Sequence, residues 1–229
     1  MPSYNRKYRR RKYRSAAPLG GALLLLAAIG VITVIVLSIQ LTSRMLDNTG
    51  QKDMFARLIT PVVMFDPVPF ETAENIMPND LLLYSMWSAL TSENRRYYTF
   101  NENQELQIPA PDLDAAARTL FGGVVRLEHR TFGDFETTYT FDAARDLYTV
   151  PVTAELYVYT PRVTEITQNG DYYELMVDYI PPGSAWTASF GGGTQEPQPD
   201  KTLIYVMARV GRDGWYIVRV QDIRAQEES

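Results

Sequence analysis

The spacing of apolar residues along the 229-residue chain changes character three times. First comes an unbroken apolar run. Ser15 to Ser43 carries no charge, and 16–41 is dominated by Leu, Ile, Val and Ala around LLLLAAIGVITVIVL. A helix of about 24 residues reaches about 36 Å, which exceeds a hydrocarbon core of about 30 Å. A cleaved signal peptide would have a shorter apolar core and a small-x-small cleavage site. The exit Ser38-Ile39-Gln40-Leu41-Thr42-Ser43-Arg44 instead puts bulky residues where small ones are needed, which predicts an uncleaved membrane anchor.

A helical period follows. Met54, Phe55, Leu58 and Ile59 form one stripe within a helix expected over 44–60, interrupted near Asn48-Thr49-Gly50. Pro61 is expected to stop it and to leave 61–70, with its three prolines, extended. Met77-Pro78-Asn79-Asp80 opens a second helix with Leu83, Met86, Trp87 and Leu90 on one face, ending near Arg95-Arg96. A short extended piece is predicted over 97–108. Pro111-Asp112-Leu113-Asp114 then opens a third helix, with Leu113, Ala116, Ala117 and Leu120 as its stripe and Gly122 as its end.

Beyond Gly123 the period falls to two. Strands are predicted over 124–132, 135–141, 147–159, 162–168, 171–180, 202–210 and 214–223. Asp142-Ala143-Ala144-Arg145, Asn169-Gly170 and Arg212-Asp213-Gly214 supply tight turns, so neighbouring strands should pair antiparallel. Helices followed by a meander predict an α+β domain with helices packed on one curved antiparallel sheet. The expected organisation is a basic tail over 1–15, a transmembrane helix over 16–41, a juxtamembrane helix and Pro-rich connector over 42–70, and an α+β domain over 71–229. A 20-residue loop, 181–200, breaks the pattern of short connections. Loops of that length are usually functional or disordered.

Charge sharpens this division. The net −5 conceals a tail whose seven charges are all positive: Arg6, Lys7, Arg9, Arg10, Arg11, Lys12 and Arg14. The remaining 15 positive and all 27 negative charges lie beyond residue 43, a net of −12. The positive-inside bias puts the tail in the cytoplasm and the acidic domain outside a plasma membrane. A basic tail could also meet nucleic acid, but topology and anionic headgroups account for it, so no nucleic-acid partner is expected. Ala16 with Gly20 and Ala17 with Gly21 are small residues four apart, a spacing that permits a homo-oligomer through the membrane helix.

Candidate chemistry is sparse. The absence of Cys excludes disulfides and thiolate chemistry, and the single histidine leaves no His-rich metal site. No Gly-x-Ser-x-Gly or P-loop pattern occurs. No cofactor or metal is therefore expected. Asp112/Asp114 and Glu102/Glu105 read as solvated acids. His129, in VVRLEHRTF, reads as a rim imidazole; the alternative is an acid/base group facing a carboxylate in a pocket. Trp186 and Phe190, large aromatics in the Gly/Pro-rich loop, are the candidate binding residues.

The stretches IPAPDLDAAARTLFG, FDAARDLYTVPV, YTPRVTEITQNGDYYELMVDYIPPG and GWYIVRVQDI lie between residues 105 and 223. With the order of tail, membrane helix, helices and meander, they resemble membrane-anchored NTF2-like (cystatin-like α+β) domains. Among these are bitopic channel-assembly components of conjugation and type IV secretion systems. The layout is also similar to a set of uncharacterised single-pass proteins of Gram-positive bacteria. The resemblance implies a concave sheet face and a pocket. It brings no catalytic motif, so no functional residue is carried over, and seven strands with a 20-residue loop exceed the usual NTF2-like count. The expectation is a non-enzymatic binding or assembly domain of the bacterial cell envelope with a protein partner. The alternative is an NTF2-like enzyme using His129.

Overall fold

The computed structural model describes residues 26, 29–34, 49–123, 125–133, 137–151, 158–182, 187–188, 194–195, 197–212 and 214–223. The chain divides into two units, Met1–Thr49 and Gly50–Ser229. In the first, residue 26 and residues 29–34 are helical, and Leu26, Ile29, Val31, Ile32 and Val34 are exposed. Among the described residues no helix is long and apolar enough to cross a membrane. Most of 16–41 and all seven basic residues of the tail lie outside the described residues.

The second unit is α+β. Helix α1, 50–63, buries Phe55, Ile59, Val62 and Val63, with Met54 and Leu58 packed at the flank. The stripe read from the sequence is thus core. Pro61 does not stop this helix, contrary to expectation. It sits in the last turn, where its missing N–H forfeits a single bond, and the chain leaves the helix two residues later. Met64 N–H still donates to the Thr60 carbonyl at 3.0 Å, so residues 61–65 are helix and turn rather than extended. Asp66, at φ 52°, completes the exit, and its carboxylate pairs with Lys201.

Helix α2 spans Pro78–Thr91, shorter than predicted, and a 3₁₀ helix follows over Glu93–Tyr97. Helix α3 spans Ala110–Phe121 and closes on Gly122 at φ 82°, a conformation that favours glycine. Eleven strands are present among the described residues: β1 Thr99–Phe100, β2 Leu106–Pro109, β3 Phe132–Gly133, β4 Thr138–Asp142, β5 Leu147–Val150, β6 Thr160–Asn169, β7 Tyr172–Ile180, β8 Thr187–Ala188, β9 Thr194–Gln195, β10 Lys201–Val210 and β11 Gly214–Asp222.

These strands make two main antiparallel sheets rather than the single curved sheet expected. One is five-stranded in the order β1-β2-β5-β4-β3, and the other is four-stranded in the order β11-β10-β7-β6. The pair β8-β9 forms a separate hairpin within the 181–200 segment. The physical reason for two sheets is non-local pairing. β2 precedes α3 but pairs with β5 beyond it, a choice that local periodicity does not carry.

Two predicted strands shrink. Over 125–131, within the predicted 124–132, burial alternates as in a strand, with Val125 and Leu127 inward and Arg126 and Glu128 outward, yet no ladder forms. The Arg130 backbone N–H donates instead to the Tyr148 hydroxyl at 3.2 Å. The predicted 147–159 strand ends at Val150, ahead of Pro151.

Each sheet has its own core; α1 serves that of the four-stranded sheet, and α2 and α3 serve both. In α2, Leu81 and Tyr84 enter the core of the four-stranded sheet, while Leu82, Met86 and Leu90 enter that of the five-stranded sheet. In α3, Leu120 and Phe121 join the first and Ala110 and Leu113 the second. The run LLLYSMW is therefore apolar on two faces, as a helix between two layers must be.

The four-stranded sheet holds two β-bulges. One lies between Val163 and Glu165 in β6, and the other faces Val206/Met207 where β10 pairs with β11. Each inserts one residue, so core-facing positions three apart (Val163 and Ile166, Ile217 and Val220) share a face despite the period of two. The first bulge also blunts the long outer edge of β6, as do Pro161 and the Lys52 ammonium, which donates to the Thr164 carbonyl.

Candidate functional site

Two arrangements in the second unit carry chemical interest. The first is a cavity of about 290 Å³ where the C-terminal half of α2 meets the five-stranded sheet. Trp87, Leu90 and Thr91 line its helix side, and Leu106, Tyr139 and Val150 line its sheet side. Phe100 of the edge strand, Arg95 of the 3₁₀ helix and Pro151 complete the lining among the described residues. Its walls follow from the fold. Tyr139 and Val150 alternate inward on β4 and β5, and Trp87 and Leu90 fall on one face of α2.

Trp87 is held by two contacts to its indole and one to its backbone carbonyl. Trp87 Nε1 donates to the Tyr139 hydroxyl at 3.0 Å, Phe65 lies 5.7 Å from the Trp87 ring, and Thr91 Oγ1 donates to the Trp87 carbonyl at 2.7 Å. Tyr139 is fixed in turn by stacking on Phe132 at 4.8 Å. A tryptophan so braced presents a rigid apolar wall.

The segment leaving the cavity, Glu93-Asn94-Arg95-Arg96-Tyr97-Tyr98-Thr99-Phe100, concentrates cations and aromatics. Tyr97 and Phe100 are 69% and 66% exposed, with Tyr98 half-buried between them. The Arg96 guanidinium lies 4.9 Å over the Tyr97 ring. Among the described residues, no carboxylate lies within ion-pair distance of Arg95. The neighbouring Tyr98 hydroxyl is pushed up to about 12 by burial and by Asp112. Two smaller grooves, of about 220 and 240 Å³, flank the 3₁₀ turn at Ala73–Asn75 and share Ala73, Glu74 and Val125.

The second arrangement surrounds His129. Its Nε2 lies 3.4 Å from Asp114 Oδ1, its Nδ1 lies 3.1 Å from the Tyr148 hydroxyl, and its ring stacks on Phe141 at 5.5 Å. The hydrogen-bond inventory selects a tautomer. The Tyr148 oxygen already accepts the Arg130 N–H, so its own proton is best directed at Nδ1, which leaves Nε2–H facing Asp114. Tyr148 is fully buried, and burial pushes its hydroxyl up to about 12. Asp114, read from the sequence as a solvated acid at a helix start, thus faces the imidazole from the first turns of α3. Both imidazole nitrogens are engaged, and His129 lines none of the three cavities described.

Of the residues singled out in the sequence, Trp186, Phe190 and the tail residues Arg6 to Arg14 lie outside the described residues. Asp112 pairs with the Tyr98 hydroxyl, and Glu105 accepts from Asn101 Nδ2 at 2.7 Å. Trp87, read as helix-face core, is half-buried and walls the cavity. The signal for it was present in the Arg-Arg-Tyr-Tyr-Thr-Phe run immediately beyond the helix. Among the described residues no cluster of three or more His, Asp or Glu could hold a metal ion. A scan against protein-family models and searches of curated proteins and of solved structures find nothing that matches the chain.

Proposed function

We propose that the chain is a non-enzymatic, membrane-anchored binding or assembly domain of the bacterial cell envelope, anchored through 16–41 with its N-terminus cytoplasmic and its α+β domain on the outer face. The division of charge carries the reading: seven cations and no acid before the apolar run, and a net of −12 after it. The exposed apolar side chains of Leu26, Ile29, Val31, Ile32 and Val34 on helical backbone are what a lipid-facing segment presents. An NTF2-like arrangement of the four-stranded meander with α1 on its inner face belongs to the same proposal. So does a protein partner in the envelope, with the exposed Arg-aromatic run beside the cavity as a binding surface.

The absence of cysteine gives a clean test of topology. Ser229→Cys should react with a membrane-impermeant maleimide on intact cells, and Ser3→Cys only after permeabilisation. The reverse pattern, or labelling of both on intact cells, refutes the reading.

The enzymatic alternative draws on one observation, the carboxylate 3.4 Å from His129 Nε2. In that reading Asp114 orients the imidazole for proton transfer. The engagement of the second nitrogen by Tyr148 favours the binding reading over this one, because a general base needs a free nitrogen facing substrate.

A further inference from the structure

The geometry points to a ligand site for a small amphipathic carboxylate, with the apolar body of the ligand against Trp87 and its anionic end at Arg95. This inference deepens the binding reading and rests on it. Three observations carry it. The cavity is lined by the buried apolar side chains of Leu90, Leu106 and Val150, and among the described residues its one charged lining residue is Arg95. That cation stands without a carboxylate in ion-pair distance among the described residues, in a domain whose net charge is −12. Local charge opposite in sign to the domain's total favours an anion at this place over others on the same surface.

Size sets the class of ligand. An apolar cavity of about 150 Å³ accepts benzene, so the 290 Å³ here suits a body of about a dozen non-hydrogen atoms. That is a medium-chain acyl group or an aryl-alkyl group, not a polymer. Trp87 Nε1 and the Tyr139 hydroxyl are bonded to each other, so the wall they form offers a ligand ring faces and edges. Polar recognition is left to the guanidinium at Arg95, whose planar fork matches a carboxylate.

The test is calorimetric titration of the full chain in phosphatidylcholine nanodiscs, with empty nanodiscs as reference. The probes are 4-phenylbutyrate and its neutral amide. The carboxylate should bind about threefold to fivefold tighter than the amide, the range expected of an exposed ion pair. Arg95→Gln should erase that preference while leaving the amide's affinity unchanged. Leu90→Trp, which fills the cavity, should abolish binding of both; an unaltered near-ultraviolet dichroism spectrum would show that the fold survives. Equal affinities for the two probes, or a preference that persists in Arg95→Gln, overturn the assignment of the anionic end. Absence of binding by the wild type at millimolar probe overturns the site itself. Cysteine labelling decides topology independently, so either failure is distinguishable from failure of the membrane-anchored reading.

Discussion

The hydroxyls of Tyr179 and Tyr205 meet at 2.6 Å inside the core of the four-stranded sheet, and both side chains are fully buried. Each is, among the described residues, the other's only hydrogen-bond partner. Tyr205→Phe keeps the ring and removes one hydroxyl, leaving the Tyr179 oxygen inside the buried cluster without that partner. An orphaned buried hydroxyl costs about 1–3 kcal/mol. Tyr179→Phe should cost a similar amount for the same reason. The double variant removes both polar groups together and loses only the net value of the bond, about 1 kcal/mol. It should therefore be more stable than either single variant. Urea unfolding of the full chain in detergent, followed by near-ultraviolet dichroism, measures all four corners of the cycle. Two outcomes would sink this account: additive single costs, or single costs below about 0.5 kcal/mol, the level of an inconsequential surface change.

Other outcomes follow from the same coordinates. Burial raises the titration of Tyr179 and Tyr205 above the ordinary value, and holds Tyr148 at about 12. The unfolded chain releases these protons first, near pH 10, so stability is complete below pH 10 and falls as pH rises past it. The slope is up to about 1.4 kcal/mol per pH unit for each buried tyrosine; urea midpoints between pH 9 and 12 measure it, and Tyr205→Phe should flatten it. Gly122→Ala should cost about 1–2 kcal/mol, because φ is 82° and a Cβ would stand 3.0 Å from the Tyr216 ring. A melting temperature equal to that of the wild type would contradict this. Trp186→Ala should weaken capture of an envelope partner in a pull-down without lowering the melting temperature; unchanged capture removes the 181–200 loop from the binding reading.

The elements of the four-stranded sheet were readable to within about two residues. The predicted 162–168, 171–180, 202–210 and 214–223 became Thr160–Asn169, Tyr172–Ile180, Lys201–Val210 and Gly214–Asp222. These strands are long, rich in β-branched and aromatic residues, and joined or bounded by turn residues such as Gly170, at φ 61°. What the pattern could not carry was partnership. Val125 and Leu127 alternate inward without a ladder, because alternation reports which way side chains face and says nothing of what lies alongside. A single stripe on α2 leaves out Leu81 and Tyr84, because the helix has two apolar faces. The cavity is illegible in the sequence for a related reason. Its walls come from α2, the following 3₁₀ turn and strands about 50 residues downstream, and they converge only once β2 and β5 pair. The His129–Asp114 contact is of the same kind, joining a helix start to an irregular segment.

The sharing of α2 and α3 between two cores has a consequence for how the chain can fail. Neither sheet owns a complete hydrophobic layer, since removing one strips a face from helices that the other needs. The two halves are thus bound into one cooperative transition, and a cut between β5 and β6 would yield two fragments with exposed apolar helix faces rather than two small domains. Damage to either sheet should then be felt as loss of the whole second unit, which leaves a quality-control protease a chain that is either intact or fully open to it.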